Sequence, residues 1–388
     1  MRGPASASAA ARPDTSSRRL AYLDVLRTFL TVLVIAHHSA IAFGASGSWY
    51  YVVAPPQGSI APLVLTLFAA INQAFFMSLF FAIAGYFTPG SCDAKGPGPY
   101  LRDRGLRLGI PLLAYFFVLS PCVRYLARRF EGRAPEGFVA FVTTDVPETW
   151  GTGPLWFVLA LLIFAAGYAA LRALTRRAHE RTGTHPLPEN ARILRFVVVI
   201  GMVAFVVRLV FPVGWQIFGL QLGHFPLYVP MFVFGIWAHG NGWLRDLGSR
   251  QANRWLAAAL VAIACMPLVA VLGGVGGAGK DLFGGGPHWQ ALVYALWEPV
   301  VCVGISMKLV VLFRERCSAP GALLRRMARG AYAAYIVHPF LLICGTALLA
   351  NLPLGALIQF VGLTAIATAA SFAAGDALRR APGLRRIL

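Results

Sequence analysis

Arg27 and His38 share one face of the first apolar segment, and this pair of residue types can do chemistry. They are eleven positions apart, and at about 100° per residue eleven steps bring a helix back to nearly the same face. The rise between them is about 16 Å, roughly half of a bilayer core. Asp24 lies one turn before Arg27 on that face. Because ionisable groups are costly inside a membrane, we interpret this stripe as functional.

The histidine of this stripe suits acid–base or acyl-transfer chemistry. A neutral imidazole can take a proton from a hydroxyl near neutral pH, and it can also carry an acyl group covalently. The sequence leaves both routes open for His38. His37 is the alternative candidate, but it points about 80° away from Arg27 on a helix, which favours His38.

The composition indicates a membrane protein, since 58% of the 388 residues are hydrophobic and only 13% are charged. We predict an all-α, polytopic membrane protein with about ten transmembrane helices. Two junctions, around Pro212 and around Asn351 to Pro353, predict tight helical hairpins. No internal repeat of the kind found in many transporters is evident. The apolar segments are 22–43, 64–88, 108–127, 153–171, 196–212, 215–238, 254–272, 289–313, 330–350 and 353–375.

The net charge of +19 follows the predicted topology rather than a nucleic-acid partner. Of the 34 Lys and Arg residues, 26 fall in segments that would be cytoplasmic and five in segments that would lie outside. The remaining three, Arg27, Arg208 and Lys308, fall within the spans, while Arg124 and Arg254 at span ends are counted with the adjoining loops. This asymmetry is the positive-inside rule, so we expect both termini in the cytoplasm and some attraction to anionic lipid. The predicted location is the inner cell membrane.

The chain divides into one domain with two tails. We expect a disordered cytoplasmic tail at 1–19, a single transmembrane domain at 20–378 and a basic cytoplasmic tail at 379–388. The start also resembles a signal peptide, but Asp24 and Arg27 interrupt its apolar core, so we expect no cleavage. The six cysteines lack metal-like spacing, and we predict no metal site.

Two more arginines precede the third span. Arg104 and Arg107 are spaced to share a helix face at its predicted cytoplasmic entrance. Position alone favours an ordinary positive-inside anchor. The alternative is a phosphate-binding fork, which the paired donors of arginine suit.

Other polar side chains fall at several depths within the spans. Counting from the span ends places Glu298 near the middle or outer half, His224 and Arg208 in the outer half, and His338 in the inner third. Either these groups line a water-filled path across the protein, or each group makes a hydrogen bond between helices. For His224 and Arg208 both readings stay open. A buried Glu298 needs a partner or a proton.

Five ordered motifs resemble the acyltransferase-3 family of integral membrane O-acyltransferases. Ala84 and Ala331 stand where that family usually has serine. The motifs are Arg27 followed by ten residues and His38; Phe80-Phe-Ala-Ile-Ala-Gly-Tyr86; Arg104-Gly-Leu-Arg107 with Pro111; Gly153-Pro-Leu-Trp-Phe157; and Ala331-Tyr-Ala-Ala-Tyr-Ile-Val-His338-Pro339.

The resemblance implies transfer of an acyl group, acetyl or succinyl, from cytoplasmic acyl-CoA to a hydroxyl of an extracytoplasmic or lipid-linked carbohydrate. It makes His38 the catalytic histidine and places three arginines near the donor. We expect no permanently bound cofactor. Two alternatives predict other outcomes: a proton-coupled exporter using the same His/Arg/Glu set, and a non-catalytic scaffold. The predicted residues are His38 and Glu298 for catalysis, the latter orienting or relaying for the imidazole; Arg27, Arg104, Arg107 and Asp24 for the donor; and His338, His224, Trp156 and Tyr86 for substrate.

Overall fold

The computed structural model describes residues 15–134, 137–144, 149–175, 185–275, 279 and 281–387, and these residues form helices and connecting loops without a β-strand. The helix Pro97–Phe130 contains two π-helical segments, Gly105–Gly109 and Tyr115–Leu119. The helices are α1 Thr15–Ala42, α2 Ala61–Lys95, α3 Pro97–Phe130, α4 Phe138–Thr144, α5 Trp156–Thr175, α6 Asn190–Arg208, α7 Phe225–Asn241, α8 Trp243–Asp246, α9 Ser249–Leu272, α10 Trp289–Arg316, α11 Ala322–Ala350 and α12 Ala356–Leu378.

Within the described ranges, nine helices are long and apolar enough to cross a membrane. These are α1, α2, α3, α5, α6, α9, α10, α11 and α12. The predicted span at 215–238 begins later than expected and forms α7, a helix of 17 residues and about 26 Å. A polytopic, all-helical membrane protein is therefore confirmed.

The two predicted hairpins have different outcomes. Residues 351–355 join α11 to α12, which confirms a tight hairpin there. The prediction around Pro212 is wrong, because residues 209–224 separate α6 from α7. This connection contains a turn closed by Ile217 and Leu220, with Phe218 at a positive φ of 50°. The loop is held by neighbouring segments, since Val213 N–H donates to the carbonyl of Gly284 and the Thr152 hydroxyl donates to the carbonyl of Phe218.

The core forms where α2 and α7 lie backbone to backbone among the neighbouring spans. A Cβ on Gly85 would lie 2.0 Å from the carbonyl oxygen of Phe232, and one on Gly235 would lie 2.0 Å from that of Ala82. Small residues let membrane helices approach this closely. The packing places the buried rings of the main core, including Phe81, next to α5 and α7.

Basic residues concentrate at the end of the bundle where α1 and α11 begin and α12 ends. Arg326 near the start of α11 binds Asp376 near the end of α12, with an Nη2–Oδ2 distance of 2.7 Å. Tyr22 of α1 lies within electrostatic reach of Arg245 and Arg314. We call this the basic end; its cytoplasmic placement stays a prediction. Of the predicted disordered tail, residues 15–19 are helical, and residues 1–14 lie outside the described part.

Candidate active site

His38 lies near the far end of α1 and is the accessible member of the His37–His38 pair. Every residue from 34 to 43 is buried except His38, which is partly exposed. His37 is buried against the ring of Phe76 at 5.2 Å between ring centroids. The loop after α1 folds back and stacks Trp49 on His38, with 4.1 Å between centroids and 18° between planes. These contacts fix the imidazole plane.

His338 of α11 is hydrogen-bonded to His38. His38 Nδ1 and His338 Nε2 are 3.2 Å apart, and His338 Nδ1 is 2.5 Å from the backbone oxygen of Tyr335. The sequence places His338 in the inner third and His38 in the outer third, and this difference in depth is wrong, because the two rings are in contact. α11 begins at Ala322 rather than at 330, so His338 lies about 24 Å along the helix, level with His38. His338 is fully buried with both ring nitrogens engaged, which does not support the predicted substrate contact.

A cluster of tyrosines closes one side of the histidine pair. Tyr50 and Tyr115 lie with their hydroxyl oxygens 3.0 Å apart, and Tyr335 donates its hydroxyl hydrogen to the carbonyl of Pro154. Gly153 has a φ of +46°, and a Cβ there would lie 2.1 Å from the Tyr50 hydroxyl. The start of α5 therefore needs glycine to pass this close to the tyrosines.

Sequence reasoning missed four aromatic neighbours of the site: Trp49, Tyr50, Tyr115 and Tyr335. A signal for two of them was present, since Trp49, Tyr50 and Tyr51 form an aromatic run six to eight residues after the predicted end of the first span. Aromatic residues at a span end are also typical membrane-interface anchors, so this run alone does not indicate a site. Nothing in the spacing of Tyr115 on α3 relates it to His38.

The three arginines that the sequence predicts for donor binding lie at the basic end. Arg27 lies 3.5 Å from Asp24, and its side chain is 48% exposed, so it is accessible despite its position within a span. Arg104 is close enough to Arg27 for their charges to interact. The backbone carbonyl of Arg107 accepts a hydrogen bond from the hydroxyl of Tyr332 at 3.1 Å. Pro111, four residues later, has no N–H to compete for that carbonyl.

One face of α11 connects the basic end to the histidine pair. Tyr332, Tyr335 and His338 are spaced at three-residue intervals and contact Arg107, Pro154 and His38 in that order. The rise from Tyr332 to His338 is about 9 Å. α11 thus runs beside α1. Its Tyr332–His338 face and the Arg27–His38 face of α1 both extend from the arginines to the histidine pair.

A second buried cluster lies on α6, α7 and α10. Arg208 and Glu298 form an ion pair whose side chains are only 1% and 4% exposed. His224 Nδ1 lies 3.2 Å from the other carboxylate oxygen, and Tyr294 also bonds Glu298. Glu298 is thereby paired, as a buried carboxylate requires. Its partners occupy the carboxylate, so the geometry does not support the prediction that it orients His38.

The two remaining predicted substrate residues, Trp156 and Tyr86, lie in different parts of the molecule. Trp156 is partly exposed and stacks on Tyr228 at 5.7 Å between centroids, next to His224. Tyr86 contacts the ring of His239 at 5.2 Å and lies within electrostatic reach of Tyr22, at the basic end. The structure therefore does not place Tyr86 beside His38.

The fold and site define a multi-pass membrane protein with an accessible histidine at one depth and arginines at another. Comparison with known sequences agrees with this class. The sequence profile described as an acyltransferase domain, that of the acyltransferase-3 family, matches residues 20–376. The chain belongs to this family, and it is an acyltransferase of the membrane.

Curated relatives are more distant. Glucans biosynthesis protein C of Salmonella agona is 26% identical over 224 residues, which cover 55% of this chain and 56% of the relative. The protein of the same name from Escherichia coli (strain SMS-3-5 / SECEC) is 29% identical over 150 residues, covering 38% and 37%. The chain thus matches about half or less of the length of these relatives. No solved structure matches it.

Proposed function

We propose that this protein transfers an acetyl or succinyl group from cytoplasmic acyl-CoA to a hydroxyl of an extracytoplasmic or lipid-linked carbohydrate. The observation that supports this most is the placement of His38. It is a partly exposed residue near the end of α1, and Arg27 lies about 16 Å back along the same helix, with Arg104 of α3 close to Arg27. A donor with phosphates at one end and a thioester at the other fits that separation.

The arginines of the basic end would hold the donor. Arg27 and Arg104 bring two cationic groups together, and guanidinium forks match phosphate oxygens in charge and geometry. Arg107 lies on the same helix, one turn beyond Arg104. CoA carries several phosphates and is cytoplasmic, so this role agrees with the charge-based orientation in the inner membrane. Acyl-CoA acts here as a substrate, with no resident cofactor.

The chemistry at His38 is the transfer of one proton and one acyl group. In direct transfer, a ring nitrogen takes the hydroxyl proton as the oxygen bonds to the thioester carbonyl carbon. The carbon–sulfur bond then breaks, and the proton passes from the imidazole to the departing thiolate. In the covalent route, the nitrogen attacks the thioester carbonyl carbon, the carbon–sulfur bond breaks and the thiolate leaves. The hydroxyl oxygen then attacks the acyl carbon, the carbon–nitrogen bond breaks, and the freed imidazole nitrogen takes the hydroxyl proton and passes it to the thiolate. Both routes need a neutral imidazole with one free lone pair.

The acceptor would approach from the aromatic end of the site. Trp49 is partly exposed and lies on His38, and a flat aromatic face suits the C–H surface of a sugar ring. The matched relatives are named for glucan biosynthesis, which favours a glucan among carbohydrate acceptors. Membrane lipid surrounds the site, so a lipid-linked sugar fits the same approach.

The test uses the full chain purified in detergent. Acetyl-CoA and succinyl-CoA are each offered with glucan oligosaccharides, and free thiol release is followed while product mass is measured. We expect acceptor-dependent thiol release together with an acyl ester on the sugar. If no donor and acceptor pair yields an ester while proteoliposomes show ion-coupled sugar flux, the exporter alternative replaces this proposal.

A further inference from the structure

We propose that His338 is a positioning residue that decides which ring nitrogen of His38 reacts. The proposal rests on the proposed function of His38 as base or acyl carrier. Its geometric basis is a linear chain from the backbone oxygen of Tyr335, through both nitrogens of His338, to Nδ1 of His38, with contacts of 2.5 and 3.2 Å.

The hydrogen-bond chain begins at the carbonyl oxygen of Tyr335, which Pro339 leaves without its usual helical hydrogen bond. In a regular helix the oxygen of Tyr335 would accept the N–H of the residue four positions later. That residue is Pro339, which lies inside α11 and has no N–H. The freed oxygen is instead 2.5 Å from Nδ1 of His338. The Tyr-x-x-His-Pro sequence therefore encodes its own acceptor for the histidine.

The tautomers follow from what each atom can do. A carbonyl oxygen only accepts, so His338 Nδ1 must carry the hydrogen. A neutral His338 then has an unprotonated Nε2, which accepts from Nδ1–H of His38. His38 is left with its lone pair on Nε2. That nitrogen takes the hydroxyl proton or the acyl group.

The neighbours of His38 hold its ring in one orientation, so Nδ1 keeps facing His338 and Nε2 remains the reactive nitrogen. Trp49 stacks on the ring and fixes its plane, while His338 is fully buried and cannot turn to solvent. The titratable groups that face His38 are His338 and His37. When Nε2 takes a proton, the positive charge is shared through the Nδ1–H bond to His338, as outer partners do for catalytic and metal-bound histidines.

The direct test reads the tautomer without any turnover. Protein labelled with ¹⁵N-histidine is studied by NMR in detergent, and the His38 signals are those missing from His38→Ala. We expect the Nδ1–H tautomer in the wild type and a shift toward Nε2–H in His338→Leu. An Nε2–H tautomer in the wild type would overturn the proposal, whatever the enzyme assays show.

Kinetics give a second, separate test. His338→Leu removes the acceptor while keeping bulk, and we expect kcat to fall at least about 100-fold with an unchanged KM for acyl-CoA. His338→Gln restores an acceptor near the position of Nε2, and we expect kcat within about tenfold of wild type. Equal losses in both variants, or wild-type kcat in the leucine variant, would count against positioning.

Pro339→Ala leaves every side chain of the hydrogen-bond chain, those of His338 and His38, unchanged. It returns an N–H to compete for the Tyr335 carbonyl, so we expect a loss of kcat of about tenfold and mixed His38 tautomers. Size-exclusion profiles show which variants fold. If His338→Leu does not fold, the proline variant and the wild-type NMR decide, and wild-type behaviour of Pro339→Ala in both readouts would refute the proposal. Absence of acyl transfer by the wild type refutes the proposed function instead.

Discussion

His38 and His338 lie 3.2 Å apart, although 300 positions separate them in the chain. The first and the penultimate long helices run side by side to bring them together. Each histidine alone is an ordinary intramembrane polar group that could make a simple helix–helix contact. In the folded protein, Trp49 fixes the plane of the His38 ring, and His338 fixes which nitrogen of that ring carries the hydrogen.

We expect His38→Ala to abolish acyl transfer while the protein still inserts and folds. No other described histidine is both accessible and held by the Trp49 stack. Thiol release and ester formation measure the effect. His185→Ala is the matched control, because that side chain is exposed and only its backbone makes hydrogen bonds. Normal turnover by His38→Ala would end the assignment.

Removing charge at the basic end should weaken donor binding. We expect Arg104→Gln and Arg27→Gln each to raise the KM for acyl-CoA about tenfold with little change in kcat, since each loses a charge-assisted phosphate contact. Initial rates against acyl-CoA concentration measure this. Arg192→Gln, an exposed arginine at the start of α6, is the control. An unchanged KM for acyl-CoA would show that the two arginines act only as positive-inside anchors.

Trp49 should matter through its stacking on His38. We expect Trp49→Ala to lower kcat about fivefold, the equivalent of about 1 kcal/mol of ring contact. Trp49→Phe keeps a flat ring and should stay near wild type. The comparison of kcat between the two variants is the readout. If both lose activity equally, the indole acts by something other than its stacking face.

The Arg208–Glu298 pair should matter for stability. Arg208→Met leaves Glu298 buried without its cation, and we expect a loss of about 3–5 kcal/mol in unfolding free energy. Adding Glu298→Met to that variant should restore much of the loss, because no charge is then left unpaired. Thermal unfolding in detergent measures both. A double variant as unstable as the single one would contradict this explanation.

Gly153 should tolerate no side chain. Gly153→Ala places a Cβ against the Tyr50 hydroxyl in a left-handed backbone conformation, and we expect a cost of at least about 2 kcal/mol. Gly167→Ala on the same span is the control, since nothing lies within 4 Å of the added atom. Unfolding temperatures of the two variants give the comparison. Equal stability would show that the tyrosine cluster adjusts freely.

The positions of most spans could be predicted, and those of the loops could not. Apolar length and positive-inside charge depend on transfer energies that each segment carries by itself. The start of α11 was placed eight residues late, because the helix continues into a basic stretch that hydropathy excludes. The sequence therefore did not reveal that His338 lies level with His38.

The sequence by itself determined the membrane class, the Arg27–His38 stripe and the family, because helical periodicity and ordered motifs are local properties. Only the tertiary structure decided that His338 and Trp49 hold His38, and that Arg208 and His224 occupy Glu298. Those relationships depend on which helices pack together and on a loop that folds back. Side-chain partners across hundreds of residues are set by packing, and no spacing rule within one segment contains them.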